Sequence, residues 1–218
     1  MTMKLYGAAL SPFVRKTRVV LALKGLEYEA VHVDPNNPPQ GYEKISPMKR
    51  IPALEVDGQY LADSAAICAY LEKICPQPAL YPDDAMAYGR AIWFQRFIDY
   101  DIASNCTFGV FRNRIVMPLL GKACDEDTVQ HYLQEKIPPL LAYLDRELEG
   151  RDFLVGDQLS IADIALGSQL VNFRHGGETV DPSRYPHLAA HTERMHALAP
   201  FAQTIEKESA FIKKVRGG

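Results

Sequence analysis

Ser11 stands where a strand-like run, MKLYG, gives way to an apolar-periodic run that opens at Pro12 and stops at Gly25. Serine ahead of the first turn, proline just inside it and glycine just past the last turn are residues that bound helices. The unpaired N–H groups of a helix start, together with the positive end of its dipole, favour an anion. A hydroxyl at that point can cap the helix or donate a hydrogen bond to a thiolate, and the local sequence leaves both roles open. Two further places could hold other parts of the same ligand. Ile51-Pro52 separates a loop from a strand; a cis bond there would expose the Ile51 backbone to an extended ligand, whereas a trans proline would simply begin an edge strand. Asp63-Ser64 ends a strand and opens a helix. Ser64 reads as the N-cap, whose N–H groups could hold a carboxylate while Asp63 accepts from an ammonium; the bland alternative is a cap and nothing more. Ser160-Ile-Ala-Asp163 has the form of a capping box with Asp in place of Glu and reads as structural.

The elements that must position these residues come in two kinds. Over the first eighty or so residues the pattern predicts a strand at 3–7, a helix over 12–24, a strand at 28–33, and a Pro- and Asn-rich loop at 34–41. Two short strands over 51–63 then turn at Asp57-Gly58, and a helix follows over 64–74. Strand–helix–strand allows a right-handed parallel crossover, and the hairpin adds antiparallel strands. This is the thioredoxin-like arrangement. After Tyr81-Pro82 the pattern is helical: a long run over about 84–120 and a second over about 126–149 that Pro138-Pro139 should kink or interrupt. A third is expected over 159–170, and two more from 186 and 200. The fold class is therefore α/β plus all-α: a thioredoxin-like domain over 1–78, a linker and helix start over 79–88, and an all-helical domain over 89–218.

A chain of 218 residues, 47% hydrophobic and 23% charged, is a globular protein with a sizeable core. A net charge of -3 without basic runs argues against nucleic acid as a partner. No run reaches the roughly 18 apolar residues of a membrane helix, and the N-terminus lacks the pattern of a secretion signal, so a cytoplasmic protein is expected. The four cysteines (Cys68, Cys75, Cys106 and Cys124) are spread singly and share no metal-ligand spacing with the six histidines, so reduced thiols and no metal are expected. On the first long helical run Ala103, Cys106, Thr107 and Val110 share one continuous face. Such a face can line an apolar pocket or be core, and Cys106 reads as a buried, inert thiol.

Together, SPFVRKTRVVLALKGLEYE, SPMKRIPALEVDGQYLADSAAICAYLE and FLVGDQLSIADIAL resemble the cytosolic glutathione transferase family over essentially the whole chain. The likeness is to serine-type members, with a tau-like Ser-Pro-Phe motif, and a bacterial origin is expected. The resemblance implies that Ser11 activates the thiol of glutathione, with Phe13 beside it in the motif. It places Arg50 at the glycine carboxylate, the Ile51 backbone against the cysteinyl unit, Pro52 as a cis-proline, and Asp63 and Ser64 at the γ-glutamyl end. Ala103, Cys106, Thr107 and Val110 would line the electrophile site of the helical domain. Tyr6, near the catalytic position of tyrosine-type members, is the second choice for the catalytic group. Serine in place of the cysteine of the omega and lambda groups argues against thiol–disulfide chemistry, as does Leu10 near the beta-class cysteine. The Ser-Ser-Cys-Ser run of zeta-class isomerases is absent, which lowers maleylacetoacetate isomerisation without excluding it. The implied protein is a homodimeric glutathione transferase that conjugates glutathione, its co-substrate, to small apolar electrophiles, with no tightly bound cofactor. The alternatives are a non-catalytic binding protein of the same fold and a glutathione-dependent isomerase, peroxidase or dehalogenase.

Overall fold

Alternating burial of Met3, Leu5 and Gly7 makes Met3–Gly7 a strand, β1, with one face in the interior. It leads into helix α1, Pro12–Leu23, whose inward side carries Val14, Val19, Val20 and Leu21. The computed structural model describes residues 2–216, and the chain divides between Leu80 and Tyr81 into two compact units. In the first unit, β2 (Glu29–His32) returns parallel to β1, as the crossover requires. β3 (Ala53–Val56) pairs antiparallel with β1, and β4 (Gln59–Ala62) pairs antiparallel with β3, giving the order β2-β1-β3-β4. The β3–β4 turn puts Asp57 at φ 47 and Gly58 at φ 82, the pair of left-handed residues that a two-residue hairpin of this twist needs. Helix α2, Ser64–Ile74, packs on α1, β3 and β4.

The thioredoxin-like arrangement is thus present, and its lower corner is held by an unanticipated buried lysine. The Lys24 ammonium, fully buried just past α1, lies 2.7 Å from Glu72 Oε2. It also donates to the carbonyls of Cys75 (2.6 Å) and Pro78 (3.0 Å), while the other Glu72 oxygen accepts from the Leu80 N–H at 3.0 Å. One buried charge therefore ties the ends of α1 and α2 to the chain that leaves the unit, through the cis Gln77-Pro78 bond.

The second unit is helical from α3, Ala85–Phe97, capped by Asp84. The helix continues unbroken as a π-wound stretch, Ile98–Val116, into α4, Met117–Leu119. At its end the Met117 N–H reaches back five residues to the Arg112 carbonyl. Asn105 and Asn113 help to explain the wider winding: their side-chain amides take the Asp101 and Gly109 carbonyls at 2.7 and 2.8 Å, the acceptors an α-helix would give to the backbone N–H four residues on. The Pro138-Pro139 pair does not interrupt the next run, which stays helical from Glu126 to Glu147 and changes only its winding. α5 (Glu126–His131) passes through a π-wound turn at Tyr132–Lys136 before α6 (Ile137–Glu147) starts with proline in its first turn. α7, Ile161–His175, runs five residues beyond its expected end and is buried almost throughout. α8 (Pro186–Ala197) and α9 (Ala199–Arg216) complete the unit.

Ser160 and Asp163 form the expected capping box at the start of α7. The sequence did not reveal how much else the Asp163 carboxylate holds. It accepts from the Ser160 N–H and hydroxyl (2.9 and 2.7 Å), the Leu154 N–H (2.8 Å) and the ring of fully buried His191 on α8 (2.9 Å). Asp163→Ala strands four buried donors, so it should cost about 3 kcal/mol or more, against about 1 kcal/mol for Ser160→Ala. Urea unfolding followed by far-UV circular dichroism should show that order.

Two glycines of the long helix make a second test. A Cβ at Gly89 would meet nothing within 4 Å, whereas at Gly109 it would lie 2.7 Å from the Tyr132 ring. Gly89→Ala should stabilise by about 0.5–1 kcal/mol through the unfolded chain, and Gly109→Ala should destabilise by about 1–3 kcal/mol through overpacking. Melting temperatures that move in opposite directions are the expected outcome.

Candidate active site

Strand register brings the three sequence features to one end of the sheet. Tyr6 pairs with Ala53 and Ala53 with Ala62. The exit of β1 toward Ser11, the entry of Pro52 into β3 and the exit of β4 into Asp63 therefore lie side by side. Leu5 faces Leu54 in that ladder and both are buried, so a one-residue slip would turn them to solvent and dissolve the alignment.

Ser11 is the N-cap of α1, with extended backbone, and its oxygen accepts from the Val14 N–H at 3.4 Å. That bond is long beside the aspartate caps of α2, α3 and α5, which are 2.8, 2.9 and 3.0 Å. It uses a lone pair, and the hydroxyl proton has no acceptor among the described residues. Phe13, half-buried in the first turn, lies beneath the Lys16 ammonium, 6.0 Å from its ring centre. Tyr6 is differently placed. Its phenol donates to Glu55 Oε2 at 2.6 Å, and burial, followed by that bond to a carboxylate, pushes its ionisation well above the usual tyrosine range.

The Ile51-Pro52 bond is cis. The Ile51 N–H and C=O have no hydrogen-bond partner among the described residues, which leaves this backbone unpaired just ahead of β3. Arg50 before it is exposed, and its guanidinium makes no ion pair among the described residues. Its backbone is tied on both sides: the Arg50 N–H donates to Ser46 Oγ at 3.1 Å and the Tyr42 hydroxyl donates to the Arg50 carbonyl at 3.1 Å.

At the third position the reading of the cap needs correction. Asp63, not Ser64, is the N-cap of α2; its Oδ1 accepts from the N–H groups of Ala65 (2.8 Å) and Ala66 (3.3 Å). Asp63 sits at φ 78 and ψ 127, outside the left-handed helical region that Asp visits readily, so this turn into α2 is strained. Ser64 is the first helical residue, 4% exposed, and its hydroxyl has no partner among the described residues. The second Asp63 oxygen stays open, so capping and acceptance from an ammonium are compatible at this residue.

Ala103, Cys106, Thr107 and Val110 fall on the π-wound stretch, and none is more than 4% exposed. The Thr107 hydroxyl donates to Gln169 Oε1 of α7 at 2.7 Å, and burial pushes the Cys106 thiol up to about 12. Of the two readings open for this face, core is the one their burial matches, because the stripe is used in packing against α7. The residues that sequence reasoning passed over are Tyr42, Ser46 and Glu55. Each acts through a partner distant in sequence or through a loop conformation that no periodicity reveals.

The chain matches the Glutathione S-transferase, N-terminal domain family over residues 5–79 and the Glutathione S-transferase, C-terminal domain family over residues 111–208. It is 32% identical to a glutathione S-transferase of Triticum aestivum, a match that covers 85% of this chain and 84% of that one. It is 31% identical to the maleylacetoacetate isomerase of Rattus norvegicus, over 90% of this chain and 89% of the other. Among solved structures, a glutathione S-transferase from Rhodospirillum rubrum F11 superposes with a TM-score of 0.85 at 26% identity, covering 93% of this chain and 91% of that one. With both domain patterns matched in order, and a sheet end that sets a helix start, an unpaired backbone stretch and a second helix start side by side, the chain belongs to the glutathione S-transferase family.

Proposed function

We propose that this protein is a serine-type glutathione transferase that conjugates the glutathione thiolate to apolar electrophiles, with Ser11 as the catalytic residue. The observation that carries the reading is the contrast between two hydroxyls. The Ser11 proton is uncommitted at the start of α1, whereas the Tyr6 proton is held by Glu55. A free thiol ionises near pH 8.5, so lowering it by about two units requires about 2.7 kcal/mol of preference for the anion. One charge-assisted hydrogen bond from Ser11 supplies about 1.5–3 kcal/mol, and the helix N-terminus adds a few tenths to about 2. No metal or buried base is required.

The rest of glutathione is assigned by chemistry. The unpaired Ile51 backbone, held beside cis Pro52, suits the extended cysteinyl unit. The exposed Arg50 guanidinium suits the glycine carboxylate. Asp63 accepts from the γ-glutamyl ammonium, while the Ser64 N–H and hydroxyl bond its carboxylate at the N-terminus of α2. Glutathione is a co-substrate, no tightly bound cofactor is invoked, and a cytoplasmic homodimer is the form proposed. The stripe from Ala103 to Val110 is not carried into the electrophile pocket, since it is buried.

A second reading, a glutathione-dependent cis–trans isomerase, is favoured by one finding: relatives of about 30% identity include maleylacetoacetate isomerases from the fly, rat, mouse and a bacterium. Against it stands the absence of the Ser-Ser-Cys-Ser run at the start of α1. Both readings use the same thiolate and differ in the electrophile. The test is retention on a glutathione column followed by turnover with a generic aromatic electrophile and with maleylacetoacetate. Binding without turnover on either would favour the non-catalytic reading.

Ser11→Ala should raise the pKa of bound glutathione by about 1–2 units, back toward about 8.5. Since the serine hydroxyl does not titrate in this range, kcat/KM should fall about tenfold or more at pH 6.5 and converge with wild type above pH 9. Thiolate absorbance near 240 nm reads the shift directly. Tyr6→Phe should leave it in place; the reverse pattern would transfer the role to Tyr6.

A further inference from the structure

On the glutathione reading above, we propose that Tyr42 is a positioning residue for glutathione binding, acting through the peptide that joins Arg50 to Ile51. Tyr42 opens a short 3-10 turn, Tyr42–Lys44, and is 1% exposed. Its ring lies against that of Tyr6, with centroids 6.3 Å apart, so its hydroxyl has a fixed origin from which to donate to the Arg50 carbonyl. A peptide group is planar, and in the trans Arg50–Ile51 peptide the N–H of Ile51 points opposite the carbonyl of Arg50. Holding the carbonyl therefore aims the Ile51 N–H, the donor left unpaired for an extended ligand. The preceding peptide is held as well, through Ser46 Oγ, which is itself buried. Arg50, which makes no ion pair among the described residues, thus sits on a backbone anchored at both of its peptides by the two buried side chains of a loop whose Lys44, Met48 and Lys49 are exposed.

The phenol suits this task because burial pushes its pKa up to about 12, so it remains a donor throughout the working range. A hydrogen bond to the loop alone would stabilise the fold and leave ligand affinity alone. A bond that orients the protein's donor to the ligand separates binding from chemistry, because on this reading the thiolate is stabilised elsewhere, at Ser11.

Tyr42→Phe removes one oxygen and keeps the buried ring. The glutathione dissociation constant should rise about threefold to tenfold, with kcat at saturating glutathione and the pKa of the bound thiol both unchanged. Ser46→Ala, which frees the other peptide, should act in the same direction and decides the matter if Tyr42→Phe does not fold. Calorimetric titration with glutathione and turnover with an aromatic electrophile provide the readings. Unchanged affinity in the folded variants, or a loss of kcat with affinity intact, overturns the proposal. Wild-type protein that fails to bind glutathione overturns the glutathione reading itself, a separate outcome seen before any variant is made.

Discussion

The antiparallel register between β1, β3 and β4 is the constraint on which the site depends. Leu5 opposite Leu54 locks it, each burying a side chain worth about 1.5–3 kcal/mol against exposure. Because strand side chains alternate between faces, no neighbouring register satisfies both burial and pairing. Once Tyr6 faces Ala53 and Ala53 faces Ala62, the chain must leave β1, enter β3 and leave β4 at the same end of the sheet. Ser11, Ile51-Pro52 and Asp63-Ser64 are then neighbours by construction.

What each of these positions offers is an incompletely used polar group. Among the described residues, Ser11 accepts a long cap bond and its proton meets no acceptor; Ile51 has a peptide N–H and C=O without partners; Asp63 caps with one oxygen and leaves the other; the Ser64 hydroxyl is unpaired. Elsewhere polar groups are more fully committed. The Asp163 carboxylate accepts four bonds, Lys24 meets three acceptors, and the Arg114 guanidinium is shared among Glu126, Glu178 and the Gly176 carbonyl. The frame still leaves His191 Nδ1 and Gln95 Nε2 without a partner among the described residues, but the sheet end gathers several spare valences in one place.

Tyr6 and Ser11 show how environment chooses between two plausible donors. A phenol is the more acidic group in water, yet burial beside Glu55 disfavours its anion and holds its proton. The serine is intrinsically a poor acid and need not be a good one. On the proposed reading it has only to donate where a helix start already favours negative charge.

Helix starts, helix stops and the hairpin were legible in the sequence because they are local. Pro12, Gly25 and Asp57-Gly58 act on backbone conformation within a few residues, and each does in the structure what its chemistry requires. The order of elements in the first unit and the change to helices after Tyr81 followed from hydrophobic periodicity together with these turn and helix-end residues. Less legible were features set by partners far along the chain. The cap at α2 belongs to Asp63 rather than Ser64, since the cap is decided by a backbone angle rather than by residue type. The π winding of Ile98–Val116 looks the same as an α-helix in a sequence pattern. The Lys24 clamp, the His191–Asp163 contact and the Tyr42–Arg50 bond join residues between 8 and 54 positions apart. The sequence by itself therefore determined which residues could do chemistry and which local elements carry them, because those depend on near neighbours. Tertiary structure alone decided which of those residues share one end of a sheet, and which hydroxyl has its proton committed to a neighbour, because strand register and burial are set by contacts that span the chain.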